Sequence, residues 1–165
     1  MVETNTKHAD SVLLDTSFLI TLLDRTRTHH PTAVEYFCHW VDSGTTLYLS
    51  TVVVAEYAVM GLLPEVVTRH LRVLPFGYDH ALETGALARI WAATKETNTK
   101  SEPPGNRDAV KDDIKLFAQA QVAGTGLLAT DDTRMGRVVD ILFSKRRNLH
   151  FKILPLWEPF DNGPS

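Results

Sequence analysis

Short apolar runs alternate with longer stretches of mixed polarity along the chain. Val12-Leu13-Leu14, Leu47-Tyr48-Leu49, Arg72 to Pro75, Gly126 to Thr130 and Phe151 to Leu156 have the length and apolar content of strands. The stretches between them carry helix signals. Phe18 to Leu23 reads as a helix with Asp15, Thr16 or Ser17 as candidate N-caps. Pro31 suits the first turn of a second helix, which runs through Ala33, Val34, Phe37 and Val41 and stops at Gly44. The β-branched run Val52-Val53-Val54 favours strand by propensity. Ser50 or Thr51 as a cap, with Gly61 and Pro64 as closure, favours a helix from about Val52 instead. Further helices are expected over Pro64 to Leu71, residues 80–96 (with Leu82, Leu87, Ile90 and Trp91 on an apolar face), Asp112 to Ala123, and Thr133 to about Phe143. Strict alternation of this kind predicts an α/β fold, a three-layer sandwich around a mostly parallel central sheet.

Residues 97–108, rich in Asn, Pro and Gly, give the strongest loop signal. Too little chain follows for a second domain, so they read as a mobile loop within one domain spanning residues 11–157. Residues 1–10 read as a flexible N-terminus and 158–165 as a frayed tail. The 165 residues suffice for a sizeable core. A net charge of −3 excludes a uniformly basic nucleic-acid footprint. It does not exclude a nuclease, whose clustered acids lower the total. The single cysteine, Cys38, cannot form an internal disulfide. The polar first residues and the lack of a long apolar run read as a cytoplasmic chain with no membrane partner.

Acids recur where the apolar runs stop. Asp15 follows the first strand, Glu56 lies just past the second, and Asp131 and Asp132 close the fourth. Asp112 and Asp113 open a helix. Any one of these has an ordinary structural explanation as a cap or a helix-dipole partner. Glu56 is harder to explain so. On a helix it shares a face with Val52, Ala55, Val59 and Leu63, where an unpaired charge costs several kcal/mol. Helical spacing sets Asp113 over Leu116, Phe117 and Ala120 and so toward the core. Asp112 falls over Lys115 and Gln119, on the wet side. In a parallel sheet, groups at the carboxyl ends of strands gather at one edge. Several carboxylates gathered there repel one another unless a cation joins them.

The pieces Leu13-Leu14-Asp15-Thr16-Ser17, Ser50 to Glu56, Lys111 to Ala120, and Leu127 to Asp132 together resemble the PIN-domain family, in order and in spacing. The resemblance implies a PIN-like, Rossmann-like sheet and a metal-dependent ribonuclease. Many stand-alone relatives are VapC-like toxins of toxin–antitoxin pairs. By position, Asp15, Glu56, Asp113 and Asp132 match the family's catalytic, metal-holding quartet, with Asp112 and Asp131 as rival assignments. Ser17 and Thr130 match its hydroxyl positions and would hydrogen-bond the carboxylates. The chain is longer than the compact toxins, mainly at residues 97–108 and in the C-terminal part.

Carboxylates with few histidines suit Mg²⁺ or Mn²⁺, not structural zinc. On this reading Asp15, Glu56 and Asp113 hold a first ion, and Asp132 holds a second or orients waters. Arg25, Arg27, Lys111, Lys115, Arg134 and Arg137 are candidate RNA contacts, with single-stranded RNA the expected substrate. Lys145-Arg146-Arg147 reads as a solvated helix end. His29 and His30 read as solvated loop residues. An antitoxin reaching the acids with an Arg or Lys, and a homodimer, are the expected protein partners. Trp40, Trp91 and Trp157 are available for a core or an interface. The competing readings are a catalytically inactive PIN-like binding module, and a phosphatase or phosphoacceptor on a related α/β fold with Asp15 as nucleophile. A haloacid dehalogenase-like pattern would want an acid where this chain has Ser17.

Overall fold

A computed structural model describes residues 9–97 and 107–160. The elements run β1 (Ser11–Leu14), α1 (Thr16–Leu23), α2 (His30–Ser43), β2 (Thr46–Ser50), α3 (Thr51–Ala58), α4 (Glu65–Thr68), β3 (Leu71–Leu74), α5 (Tyr78–Thr97), α6 (Arg107–Ala123), β4 (Leu127–Thr130), α7 (Thr133–Lys145) and β5 (Lys152–Pro155). The strands form one five-stranded sheet of order β3-β2-β1-β4-β5, and every pairing is parallel. The expected α/β sandwich is therefore present, and its sheet is wholly parallel.

β1 is the middle strand. Val12, Leu13 and Leu14 are each fully buried, although successive side chains point to opposite faces. Both faces of the sheet must therefore be covered, which is the physical reason these strands read as unbroken apolar runs. On one side α1 packs against α2; elsewhere α5 packs against α6 and α7. Trp40 lies at the heart of the core, 5.8 Å from Phe18 and 5.3 Å from Tyr36 between ring centres. Trp91 packs against the core, and Trp157 is partly exposed. Gly44 ends α2 in the left-handed region at φ 73°, where its N–H reaches the carbonyls of Trp40 and Val41.

The order places the topological switch between β1 and β4. From β1 the chain moves outward through β2 to β3, then crosses to β4 and β5 on the other side. Ligand crevices of doubly wound sheets open at such a point, beyond the carboxyl ends of the strands.

Some boundaries differ from expectation. The helix expected from Pro64 to Leu71 is only the single turn α4, and Leu71 opens β3, paired with Leu47. Leu82 is 57% exposed, while Leu87 is buried. The inward stripe of α5 thus runs through Leu87, Ile90 and Trp91. α6 begins at Arg107, a turn and more before the expected Asp112, and α5 includes Thr97. Those ends of the expected 97–108 loop are helical. The rest of that loop, like most of the expected N-terminal segment and tail, lies outside the described residues. Arg146 is not simply a solvated helix end: it caps α7 and pairs with Glu83 of α5 at 2.5 Å. Among the described residues no helix is long and apolar enough to cross a membrane.

Candidate active site

Asp15 stands one residue past β1, with its backbone N–H bonded to the Ala129 carbonyl of β4 at 3.0 Å. It caps α1: its Oδ2 accepts the Ser17 N–H at 3.3 Å. The same oxygen accepts the Ser17 hydroxyl at 2.5 Å and the Thr130 hydroxyl at 2.9 Å. Thr130 ends β4 and is fully buried. Its Oγ1 also accepts the Asp132 N–H at 3.0 Å, and Ser17 Oγ accepts the Asp131 N–H at 2.8 Å. The two hydroxyls anticipated as carboxylate supports therefore knit the ends of β1 and β4 into one network. Burial pushes the Asp15 carboxyl above its ordinary pKa, against the pull of the Ser17 and Thr130 hydrogen bonds.

Glu56 comes from α3, which Ser50 caps by accepting the Val52 N–H at 2.9 Å. Its Oε2 accepts the hydroxyl of Thr16, the residue after Asp15. Glu56 does not share a buried face with Ala55 and Val59. α3 ends at Ala58, Ala55 is exposed, and Val59 is 87% exposed. Glu56 is half-buried because it leans on α1. Its pKa is nevertheless raised, first by burial and then by the charges of Asp15 and Asp112.

Asp113 lies in α6 and is 6% exposed. Its Oδ2 is buried without a hydrogen-bond partner. Its pKa is pushed up to about 7, chiefly by burial. Arg134 pulls it down, while Asp15, Asp132 and Glu56 each push it further up. Asp113 of α6 is thus within electrostatic reach of Asp15 beyond β1, Glu56 of α3 and Asp132 beyond β4. Among the described residues, no three His, Cys, Asp or Glu side chains are already drawn into a finished cage. Arg134 stands among them instead.

The doubled acids separate cleanly. Asp112 Oδ1 holds Lys115 Nζ at 2.7 Å, the partner foreseen for it. Asp131 turns away toward α1 and α2. It accepts the Thr21 hydroxyl at 2.7 Å and faces His29 Nδ1 at 2.6 Å. Asp132 caps α7 through the Arg134 N–H at 2.8 Å, and its Oδ2 accepts Arg134 Nη2 at 2.7 Å. Arg134 Nε lies 3.4 Å from Asp113 Oδ2.

Three expectations need correction. Arg134, expected as an RNA contact, is a partner of the acids themselves. His29 is anchored by Asp131 rather than merely solvated. Gln119 is fully buried, not on a wet face: Ser50 donates to its Oε1, and its Nε2 donates to the Leu74 carbonyl at 3.1 Å. A neutral amide that joins α6 to β2 and β3 can sit in the core because both its ends are satisfied. Of the other candidate RNA contacts, Arg25, Arg27, Lys111 and Arg137 are exposed; Arg27 lies 3.6 Å from Asp24, and Lys115 is engaged with Asp112. Thr21 was overlooked, although a polar residue inside the apolar run Phe18 to Leu23 was a visible signal. The His29–Asp131 contact spans 102 positions and left none.

The donor set suits a hard divalent cation by its chemistry: it consists of carboxylate oxygens, with no cysteine near them in sequence. No protein-family model matches the chain, and no curated protein matches it. Solved structures do. A chain of VapBC2 from Rickettsia felis, bound to a DNA fragment from its promoter, is 14% identical, with a TM-score of 0.56; the match covers 87% of this chain and 98% of that one. A chain of DNA-bound VapBC from Salmonella typhimurium is 18% identical, with a TM-score of 0.54, and the match covers 88% and 98%. At these identities the likeness speaks to architecture: the chain has the PIN-like α/β fold shared with the VapBC structures.

Proposed function

We propose that the chain is a divalent-metal-dependent endoribonuclease acting on single-stranded RNA, and the toxin of a toxin–antitoxin pair. The observation that supports this reading is that Asp113, buried on α6, feels the charges of Asp15, Asp132 and Glu56 near the switch point. Capping explains Asp15 and Asp132, but not the burial of Asp113 beside them.

Asp15, Glu56 and Asp113 would hold Mg²⁺ or Mn²⁺. Such an ion supplies Lewis acidity at a phosphodiester and makes water a better nucleophile at neutral pH. The protein's own part is orientation. Ser17 and Thr130 hold Asp15 Oδ2, and Thr16 holds Glu56, which would orient their remaining oxygens toward the ion. Asp132 completes the negative edge. Exposed Arg25 and Arg137 would meet backbone phosphates, with Arg27 and Lys111 as further candidates. The shared fold with VapBC chains supports an antitoxin partner, which would cover the acids with an Arg or Lys.

One observation favours the inactive binding module: Arg134 already neutralises part of the quartet. Incubating the purified chain with cellular RNA, with Mn²⁺ or with chelator, separates the two. Metal-dependent cuts are expected. Binding of RNA or a protein partner with no cuts at any Mn²⁺ concentration would favour the module.

A further inference from the structure

We infer that Arg134 is a built-in cation of the acidic centre and restricts it to one divalent ion, an inference that rests on the nuclease reading above. Arg134 is the second residue of α7 and engages both oxygens of its own helix cap: its N–H donates to Asp132 Oδ1 and its Nη2 to Asp132 Oδ2. The same guanidinium sets Nε 3.4 Å from Asp113 Oδ2. One planar fork therefore spans two of the four carboxylates. A lysine, a single point charge, would not do this with one geometry.

The side chain is only 32% exposed, so the charge is held inside the crevice. Asp132 Oδ2 and Asp113 Oδ2 face the guanidinium, so a second divalent ion drawn to these two acids would be repelled by a charge already held there. Asp15, Glu56 and the other oxygen of Asp113 remain for the first ion. Asp132 then acts as a positioning residue, through Arg134, and is not an ion ligand.

The test is the number of Mn²⁺ ions bound per chain, by calorimetry and by electron paramagnetic resonance, on the full-length protein. Wild type is expected to bind one ion with an uncoupled six-line spectrum. Arg134→Gln is expected to bind two, with a spin-coupled signal. Arg134→Lys, which keeps the charge but loses the fork, should still bind one ion, with the helix fold checked by circular dichroism. Two ions on wild type would overturn the inference and leave the metal-dependent nuclease reading standing. One ion on a folded Arg134→Gln would do the same. No ion on any of the three proteins would remove the nuclease reading and the inference with it. The wild-type count decides even where Arg134→Gln fails to fold.

Discussion

Thr130 Oγ1 donates to Asp15 Oδ2 at 2.9 Å, joining residues 115 positions apart at the ends of adjacent parallel strands. The bond does two jobs. It satisfies a buried hydroxyl, and it fixes which lone pairs of Asp15 face the crevice. Thr130→Val keeps the shape and removes both the donor to Asp15 and the acceptor for the Asp132 N–H. The expected cost is about 1–3 kcal/mol in chemical unfolding. RNA cleavage should fall about 10–100-fold, the usual effect of losing a group that supports a ligand. Unchanged cleavage would show that Asp15 needs no such orientation.

Asp131 and Asp132 are neighbours with separate duties. Asp131→Ala leaves the Thr21 hydroxyl, 1% exposed, without its partner, and releases His29. A stability loss of about 1–3 kcal/mol is expected, with the number of bound Mn²⁺ ions unchanged. Loss of Mn²⁺ binding in a folded Asp131→Ala would restore Asp131 as a ligand.

Burial carries the Asp113 carboxyl from 3.8 to about 7. Below pH ~4 the folded and unfolded chains both hold this proton, and the group does not alter stability. Between about pH 4 and 7 the unfolded chain releases the proton first, so stability falls as pH rises and then levels off. Over roughly three pH units at ~1.4 kcal/mol each, the loss is on the order of 4 kcal/mol at most. Without metal, Asp113→Asn should therefore melt above wild type at pH 8, and the two should converge near pH 4. Parallel melting curves across that range would contradict the burial of an ionisable Asp113.

Gln119→Leu removes the amide that holds the Ser50 hydroxyl and the Leu74 carbonyl. Ser50 is fully buried and caps the helix that carries Glu56. A loss of about 2–4 kcal/mol is expected from two abandoned buried groups, with weaker Mn²⁺ binding as α3 loosens. A variant as stable as wild type would show that apolar packing replaces the amide.

The sheet was legible because its central strands are apolar on both faces, and Asp15, Asp131 and Asp132 because they follow strand ends; Asp113 lies a turn and more inside α6 and was legible through its place on the apolar stripe. Val12-Leu13-Leu14 before Asp15 carries both signals in four residues. What failed was whatever tertiary contact decides. Leu71 reads as the end of a helix by composition and becomes a strand because Leu47 offers it a ladder. Gln119 follows the wet side of α6 by spacing, yet β3 covers it. Arg134 read as one of several candidate RNA contacts. Only the approach of α6 brings Asp113 to its guanidinium. His29 in a polar loop gave no hint of Asp131.

The most direct measurement is cleavage of an end-labelled single-stranded RNA by wild type, Asp15→Asn and Asp113→Asn, each with Mn²⁺ and with chelator. Wild type should cut only with metal, and each variant should cut more than about 100-fold more slowly, since losing a ligand outweighs losing its support. Equal cutting by all three proteins, or cutting that survives chelation, would mean that the carboxylates beyond β1 and on α6 are not the seat of the chemistry.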